Sequence, residues 1–200
     1  MGRPINFDPQ EKLHIAMKLF WEHGYVGTSM QQLVNALGIN RFSLYNCYGD
    51  KDALYHLVLD HYSKTVIHRL IEPMLDPNAA LPAVLQYLQR LQLAMEGHGG
   101  RLGCMVQNAG IERGLVDERV QERVDEWYAK LEALIYNALQ CSQIEGRLRA
   151  GIDPDQASKY LVTVLQGIIA MRRSTSDQER YQVALGFLIS EVADWELAAS

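Results

Sequence analysis

The sequence has few of the residue patterns on which metal centres and catalytic sites depend. Three cysteines, Cys47, Cys104 and Cys141, are too few and too scattered for a disulfide framework or a CxxC metal site. The six histidines form no HExxH motif and no other paired ligand spacing. A phosphate-binding glycine loop, a GxSxG motif and a GxGxxG motif are also absent. We therefore expect a protein that is not an enzyme and that uses no metal or cofactor.

Long hydrophobic runs are absent as well. No apolar run approaches the roughly 20 residues that a membrane-spanning helix needs, and residues 1–4 lack the apolar core of a signal peptide. Hydrophobic residues make up 48% of the chain and charged residues 22%, which is normal for a globular protein and argues against disorder. We predict a cytoplasmic protein with no membrane partner.

The chain also has no excess of basic residues. Its net charge is −5, and residues 1–52 carry five basic and five acidic side chains, so this segment is neutral. Charge alone would not predict a nucleic-acid partner. A DNA-binding site in this chain would have to use a few well-placed groups, and its affinity would depend only modestly on salt.

Apolar residues recur at helical spacing along the chain, and no segment shows the alternation of a strand. Asp8 and Pro9 predict the start of a helix that ends at Gly24. Asp50 predicts the start of a helix that continues to about Ile71. Further helices are predicted over about 81–95, over about 116–138, from 153 and from about 176. The predicted fold class is therefore all-α.

Two short helices joined by a tight glycine turn are predicted near the N-terminus. Thr28 or Ser29 can cap the first helix, which stops at Gly38. Asn40 can cap the second helix, which stops at Gly49. This arrangement is typical of a helical unit that presents one helix to a DNA major groove.

The same segment resembles the TetR/AcrR family of transcriptional regulators. The matching residues fall at the family's spacing over about a quarter of the chain, and they read Ala16-x-x-Leu19-Phe20-x-x-x-Gly24-Tyr25-x-x-Thr28-Ser29, Ala36-Leu37-Gly38-Ile39 and Leu44-Tyr45-x-x-Tyr48-Gly49-x-Lys51-x-Ala53-Leu54. Where the family often has histidine and then phenylalanine, this chain has Cys47 and then Tyr48. That departure leaves the pattern of base contacts open.

The resemblance implies an N-terminal three-helix helix-turn-helix DNA-binding domain, over residues 6–66. It also implies a larger C-terminal helical ligand-binding and dimerisation domain, over residues 67–200. The expected partners are double-stranded operator DNA, a small-molecule effector and a second copy of the chain. The expected function is that of a repressor that a small-molecule effector releases from its operator, an electrophile being one candidate effector. The alternative is a helical ligand-binding or redox-sensing protein with weak or no DNA affinity.

Candidate DNA contacts come from both short helices and from the residue that follows them. The predicted set is Thr28, Ser29, Gln31, Asn40, Arg41, Ser43, Tyr45, Asn46, Tyr48 and Lys51. Hydroxyl groups at a helix N-terminus suit phosphate, an arginine suits a guanine edge and an asparagine suits adenine.

Two of these assignments have alternatives, and a further contact is predicted outside the set. Arg41 would contact a phosphate if it does not contact a base, and Tyr48 would be a core aromatic if it does not contact a phosphate. Arg3 in the N-terminal arm is a candidate for a minor groove. Phe42 and Leu44 are expected to pack inward.

The last two predicted helices are apolar on more than one flank. A helix that is apolar nearly all round is buried on two sides, which favours a homodimer joined through these helices as a four-helix bundle. Gly167 and Gly186 would allow close backbone approach. The alternative is that the same residues form the core of a monomer.

Candidate effector-binding residues combine flexible apolar groups with a few polar ones. The predicted set is Met95, Cys104, Met105, Gln107, Asn108, Trp127 and Tyr128. A helix that starts just after Gly103 would lower the thiol pKa of Cys104, which would make it a sensor of electrophiles or oxidants. The alternative is that Cys104 is a small apolar residue packed between helices.

Overall fold

The computed structural model describes residues 7–197, which fold as α-helices joined by short turns. No strand occurs within this range, although Leu148 and Glu196 form an isolated bridge. The all-α prediction is confirmed. Arg3 and the predicted domain start at residue 6 lie outside the described residues.

The helices of the N-terminal part begin and end close to the predicted positions. They are α1 (Pro9–His23), α2 (Met30–Leu37), α3 (Arg41–Tyr48) and α4 (Lys51–Tyr62). The chain continues from α4 through a π-helical segment (Ser63–Ile67) into α5 (His68–Ile71) and a 3₁₀ turn (Glu72–Met74). The predicted domain boundary between residues 66 and 67 falls inside the π-helical segment, and it stays a prediction.

The helices that follow form a bundle, and all but two of them have 16 residues or more. They are α6 (Leu81–Glu96), α7 (His98–Arg101), α8 (Met105–Arg113), α9 (Glu118–Ile144), α10 (Pro154–Ser174) and α11 (Gln178–Ala193). The helix predicted to end at about residue 138 runs on to Ile144, because Ala138, Leu139 and Ser142 stay on its buried face.

Side chains and one glycine set the ends of the short helices. The Ser29 hydroxyl accepts a hydrogen bond from the Gln32 backbone N–H, and the Gln32 side chain accepts one from the Ser29 backbone N–H. This reciprocal arrangement satisfies two amide groups that a helix N-terminus leaves free. Gly38 then ends α2 with φ of 63°, a left-handed conformation that favours glycine. Asn40 and Asp50 cap α3 and α4 through their side-chain oxygens.

The N-terminal unit packs around α1, which lies against α2 and α4. Phe20, Leu33, Leu44 and Leu54 are almost fully buried in this core. In the bundle, α9 packs between α8 and α10, and α6 closes the other side against α9 and α11. One continuous apolar core therefore runs from the helix-turn-helix into the bundle.

Candidate functional site

The outward face of α3 carries a compact set of exposed side chains. We define the α3 face as Arg41, Phe42, Tyr45 and Asn46, all of which are exposed. The Arg41 guanidinium carbon lies 5.8 Å from the centroid of the Tyr45 ring. A helix presented in this way places its side chains where they can meet base edges.

Phe42 belongs to this face, so the prediction that it packs inward is wrong. Its side chain is 75% exposed, whereas Leu44 is fully buried as predicted. Leu44 and Tyr48 are four residues apart and take the inner side of α3. Phe42 precedes Leu44 by two residues, more than half a helical turn, and therefore points to the opposite side.

Most of the other predicted DNA contacts lie on the exposed surface beside the α3 face. Ser29 and Asn40 are exposed caps, and Ser43 is half-buried at the start of α3. Gln31 is exposed on α2, where its side-chain amide donates a hydrogen bond to Asn35 at 2.9 Å. These residues are therefore accessible at the starts of α2 and α3, and their predicted contacts with DNA stay predictions.

Thr28 and Tyr48 do not present their hydroxyls to solvent, which corrects their predicted role in holding phosphate. Thr28 is fully buried, and its hydroxyl donates to the Gly24 carbonyl at 2.7 Å. Tyr48 is 6% exposed, and its hydroxyl donates to the Pro9 carbonyl at 2.8 Å. These bonds fasten the turn before α2 and tie the end of α3 to the start of α1. Tyr48 is therefore the core aromatic of the alternative interpretation.

Lys51 faces an aromatic ring at the start of α4. Its ammonium nitrogen lies 4.1 Å from the centroid of the Tyr25 ring. Burial, followed by the neighbouring Arg113, lowers the pKa of Lys51. The stacked position holds the ammonium group beside the helix-turn-helix, and its predicted phosphate contact stays a prediction.

The C-terminal end of α8 contacts the turn before α2. The Glu112 carboxylate accepts hydrogen bonds from the backbone N–H groups of Tyr25 and Val26, at 2.9 and 2.8 Å. A Cβ atom at Gly24 would lie 2.9 Å from a Glu112 oxygen, and Gly24 has a φ of 75°. Glycine at position 24 therefore suits both the turn and the close approach of the carboxylate.

Arg113 completes this contact with a second group of residues. Its guanidinium carbon lies 3.7 Å from the centroid of the Tyr25 ring. Its Nη2 atom lies 3.0 Å from Asp52 Oδ1 and 2.9 Å from Asp117 Oδ2. We call Glu112 and Arg113 the α8 clamp. The sequence offered no local sign of it, since its partners are mostly 60 to 90 residues away along the chain.

An apolar cavity of about 150 Å³ lies between the bundle and helices α1, α4 and α5. Met95, Cys104 and Trp127 line it, so the structure brings together three of the predicted effector-binding residues. Sequence reasoning missed the other polar members of the lining, which include Tyr62, Tyr87 and Gln166. Tyrosines at helical spacing read as core, and only their convergence from separate helices marks a cavity.

A larger cleft of about 490 Å³ lies at the junction between α1, α8 and α10. The predicted residues Met105 and Asn108 line this cleft and not the apolar cavity. The Trp21 indole N–H donates to the Gly103 carbonyl at 3.0 Å nearby, and Arg173 donates to the Leu102 carbonyl at 2.5 Å. The cleft is thus bordered by direct contacts between α1 and the bundle.

The two remaining predicted effector-binding residues line neither cavity. Gln107 is buried, and its side-chain amide donates to the Gln166 carbonyl at 2.9 Å, which ties α8 to α10. Tyr128 is half-buried on α9, where burial and then Cys104 raise its pKa to about 12. Gln107 therefore has a packing role, and the predicted set divides into residues of the cavity, of the cleft and of neither.

Cys104 sits at the N-terminus of α8, as predicted, but its thiol pKa moves in the opposite direction. The side chain is only 8% exposed, and burial raises the pKa of the thiol. Backbone N–H groups of Val106 and Gln107 act against this shift and are outweighed. The predicted low-pKa thiolate is therefore wrong, and Cys104 matches the packed alternative.

The outer sides of α10 and α11 carry exposed apolar side chains. We define the α10/α11 face as Tyr160, Met171, Val183 and Phe187, which are between 41% and 73% exposed. A Cβ atom at Gly167 or Gly186 would meet no atom within 4 Å. The face therefore contains both large apolar groups and positions open to close approach.

Two further kinds of feature are absent from the part of the chain that the structure describes, a metal centre and a membrane-spanning helix. Residues 7–197 contain no group of three histidine, cysteine, aspartate or glutamate side chains that could hold a metal ion. Within the same range, no helix has both the length and the apolar character to cross a membrane.

Together these features define a helix-turn-helix DNA-binding protein whose helix-turn-helix is held by the α8 clamp against a helical bundle, with an apolar cavity beside it. The family profile of bacterial regulatory proteins of the tetR family matches residues 13–58. The profile of the tetracyclin repressor-like C-terminal domain matches residues 80–188, which is more than half of the chain. The chain belongs to the TetR family and is a DNA-binding transcriptional regulator, so the resemblance is confirmed.

Individual relatives are similar over nearly the whole chain. The uncharacterized HTH-type transcriptional regulator YezE of Bacillus subtilis is 29% identical over 184 residues, which cover 91% of this chain and 94% of the relative. The HTH-type transcriptional repressor ComR of Escherichia coli is 26% identical, with coverage of 92% and 88%. A cysteine mutant of the TetR family regulator CifR, complexed with 26-bp operator DNA, matches with a TM-score of 0.78 and 23% identity, and covers 94% and 98%. That structural likeness shows the fold.

Proposed function

We propose that this protein is a homodimeric repressor in the cytoplasm that leaves its operator when a small molecule occupies the bundle. The observation that carries the proposal is the α3 face, on which Arg41 and Asn46 point outward from a fully capped helix-turn-helix. Repression is the direction that the name of ComR gives for a relative of similar length. Arg41 would contact a guanine edge or a phosphate, and Asn46 would contact adenine.

The dimer would form through the α10/α11 face. Exposed apolar side chains on two adjacent helices suit a two-fold four-helix bundle, in which the same surface meets itself. Such a dimer would place its two α3 faces in successive major grooves, one helical turn apart. Each protomer would then contribute few phosphate contacts, in keeping with the neutral charge of residues 1–52.

Effector binding would reach the helix-turn-helix through α8. The N-terminal end of this helix borders the apolar cavity at Cys104, and its C-terminal end carries the α8 clamp. A ligand that shifts α8 would change the hold of Glu112 on the turn before α2. The spacing of the two α3 faces would change with it, which lowers the population of the DNA-binding form.

The test begins with selection of genomic fragments by the purified protein, followed by gel-shift titration at several salt concentrations. Arg41→Ala and Asn46→Ala should each weaken binding by about 1–3 kcal/mol, roughly 5- to 150-fold. Arg149→Ala is the matched control, because Arg149 is exposed in the turn between α9 and α10. Equal binding by the Arg41→Ala and Arg149→Ala variants, or no selective enrichment of fragments, would refute this role of the α3 face.

A further inference from the structure

The walls of the apolar cavity limit the size and shape of what it can hold. Trp21, Tyr62, Tyr87 and Trp127 supply aromatic surface from α1, α4, α6 and α9. The volume is about 150 Å³, and an apolar cavity of about this size in another protein holds benzene. The cavity therefore suits a single six-membered ring with one small substituent.

The charge of the lining excludes ionised ligands. None of the residues that line the cavity is acidic or basic, and the polar members are tyrosine, tryptophan, glutamine and cysteine. An ionised molecule would lose its hydration there without gaining a counter-charge, which costs much more than the burial of a neutral group. A ligand of this cavity would therefore have to be neutral.

Two buried polar atoms of the lining have no partner among residues 7–197. They are the indole Nε1 of Trp127 and the side-chain Oε1 of Gln166. The first is a hydrogen-bond donor and the second an acceptor. A buried polar atom without a hydrogen bond is unfavourable, so a ligand that satisfies both atoms gains affinity from each. A hydroxyl group can accept from one and donate to the other.

Covalent capture does not fit the same cavity. Cys104 is the nucleophilic side chain of its lining, and burial raises the pKa of that thiol. Thiolate, the form that attacks electrophiles, is correspondingly scarce at neutral pH.

We propose that the apolar cavity binds a neutral monocyclic aromatic molecule with one hydroxyl group, a phenol, which hydrogen-bonds to Trp127 and Gln166. This rests on the proposed function, in which the cavity is the effector site. The position of Gln166 suits that role, because its backbone carbonyl accepts the hydrogen bond from Gln107 of α8. A ligand bound to Gln166 would therefore contact a residue that is itself hydrogen-bonded to α8, the helix that carries the α8 clamp.

The test compares three probes by calorimetry at pH 7, with no DNA present. Phenol has the ring and the hydroxyl, toluene has the same size without the hydroxyl, and benzoate has the ring with a negative charge. We expect phenol to bind at least about threefold to tenfold more tightly than toluene, as a net hydrogen bond implies. We expect no detectable binding of benzoate at a concentration at which phenol saturates the protein.

Variants of the protein then test which side chains hydrogen-bond to the hydroxyl group of phenol. Trp127→Phe and Gln166→Leu should each remove most of the preference for phenol over toluene, while the affinity for toluene changes little. Trp195→Phe is the matched control, since Trp195 is a buried tryptophan outside the cavity lining. Ile169→Phe should fill the cavity and abolish binding of both neutral probes.

The outcomes separate the inference from the proposed function. Benzoate that binds as tightly as phenol, no binding of either neutral probe, or an unchanged phenol preference in both hydroxyl variants overturns the inference. Phenol that binds as expected but leaves gel-shift binding to the selected DNA unchanged supports the inference and overturns the effector role. Phenol that binds and releases the DNA supports both.

Discussion

The helix-turn-helix and the bundle hold their functional groups in opposite ways. In the helix-turn-helix, the two short helices α2 and α3 pack on α1 and α4, and α3 turns its exposed side chains outward, on the α3 face. Where the bundle meets α1 and α4, aromatic side chains from four helices turn inward around an apolar cavity. An outward site needs only rigid support behind it, whereas an inward site exists only when several distant segments pack together.

The α8 clamp joins these two regions. Helix α8 touches the cavity lining at its start and the turn before α2 at its end. Because the helix has nine residues, the two ends are only about 14 Å apart at the usual rise per residue. A short rigid element is enough to connect the inward site with the outward one.

Leu44→Ala tests the division of α3 into an inner and an outer side, and we expect the largest effect here. Leu44 is fully buried, so the variant should lose about 2–5 kcal/mol of unfolding free energy through lost burial and a cavity. Phe42→Ala, on the exposed side of the same helix, should change it by no more than about 0.5 kcal/mol. Urea unfolding of both variants makes the comparison. Similar losses would mean that α3 has no distinct outer side.

Arg113→Met tests the joint between the two regions, with an intermediate effect. The variant leaves the nearly buried Asp117 carboxylate without its guanidinium partner, at a cost of about 1–3 kcal/mol. Lys159→Met, which breaks the exposed pair with Asp155, should cause little change. Thermal unfolding followed by circular dichroism measures both. A separate early transition in Arg113→Met would show that the clamp couples the regions, and a melting curve like that of the control would contradict it.

A histidine pair between α1 and α4 should give the smallest effect, a loss of stability in mild acid. His61 Nε2 lies 3.5 Å from His14 Nδ1. Burial lowers the pKa of both, with Lys18 and Arg69 adding to the shift at His14, and His14 and Lys64 adding to it at His61. The contribution of the two histidines to the free energy of unfolding is complete above the ordinary histidine pKa of about 6.5. It is lost as the pH falls through their lowered pKa values.

The measurement is the fall in melting temperature between pH 7.5 and pH 5. His14→Asn should reduce this fall, because the remaining histidine no longer titrates beside a second one. His98→Asn, which changes an exposed histidine of α7, is the matched control. An equal fall in all three proteins would show that the pair contributes nothing to the pH dependence.

The helix-turn-helix could be predicted almost to the residue because its signals are local. Ser29, Asn40 and Asp50 act as caps, and glycines end the helices, as their chemistry predicts. The errors concern side-chain direction. Thr28 and Tyr48 turn their hydroxyls toward the backbone of the turn and of α1, and Phe42 turns outward. These directions depend on how α3 seats on its neighbours, which no local signal specifies.

The cavity could be predicted from the sequence only in part, and the α8 clamp could not be predicted from it. Met95, Cys104 and Trp127 were predicted together and do line one cavity, but Met105 and Asn108 face the cleft at the junction. The sign of the thiol shift at Cys104 was wrong because a helix start is a local feature and burial is not. The proposed preference for a neutral phenol depends on Gln166, a residue that sequence reasoning did not single out.

The sequence by itself determined that the chain is helical, where its short helices begin and end, and which family it belongs to. Caps, glycine stops and apolar spacing act within a few residues, so they can be read from neighbours along the chain. The tertiary structure alone decided which groups are buried, how α8 clamps the turn before α2, and which residues line the cavity. Those properties arise from contacts between residues 59 to 87 positions apart, where packing and desolvation outweigh local preference.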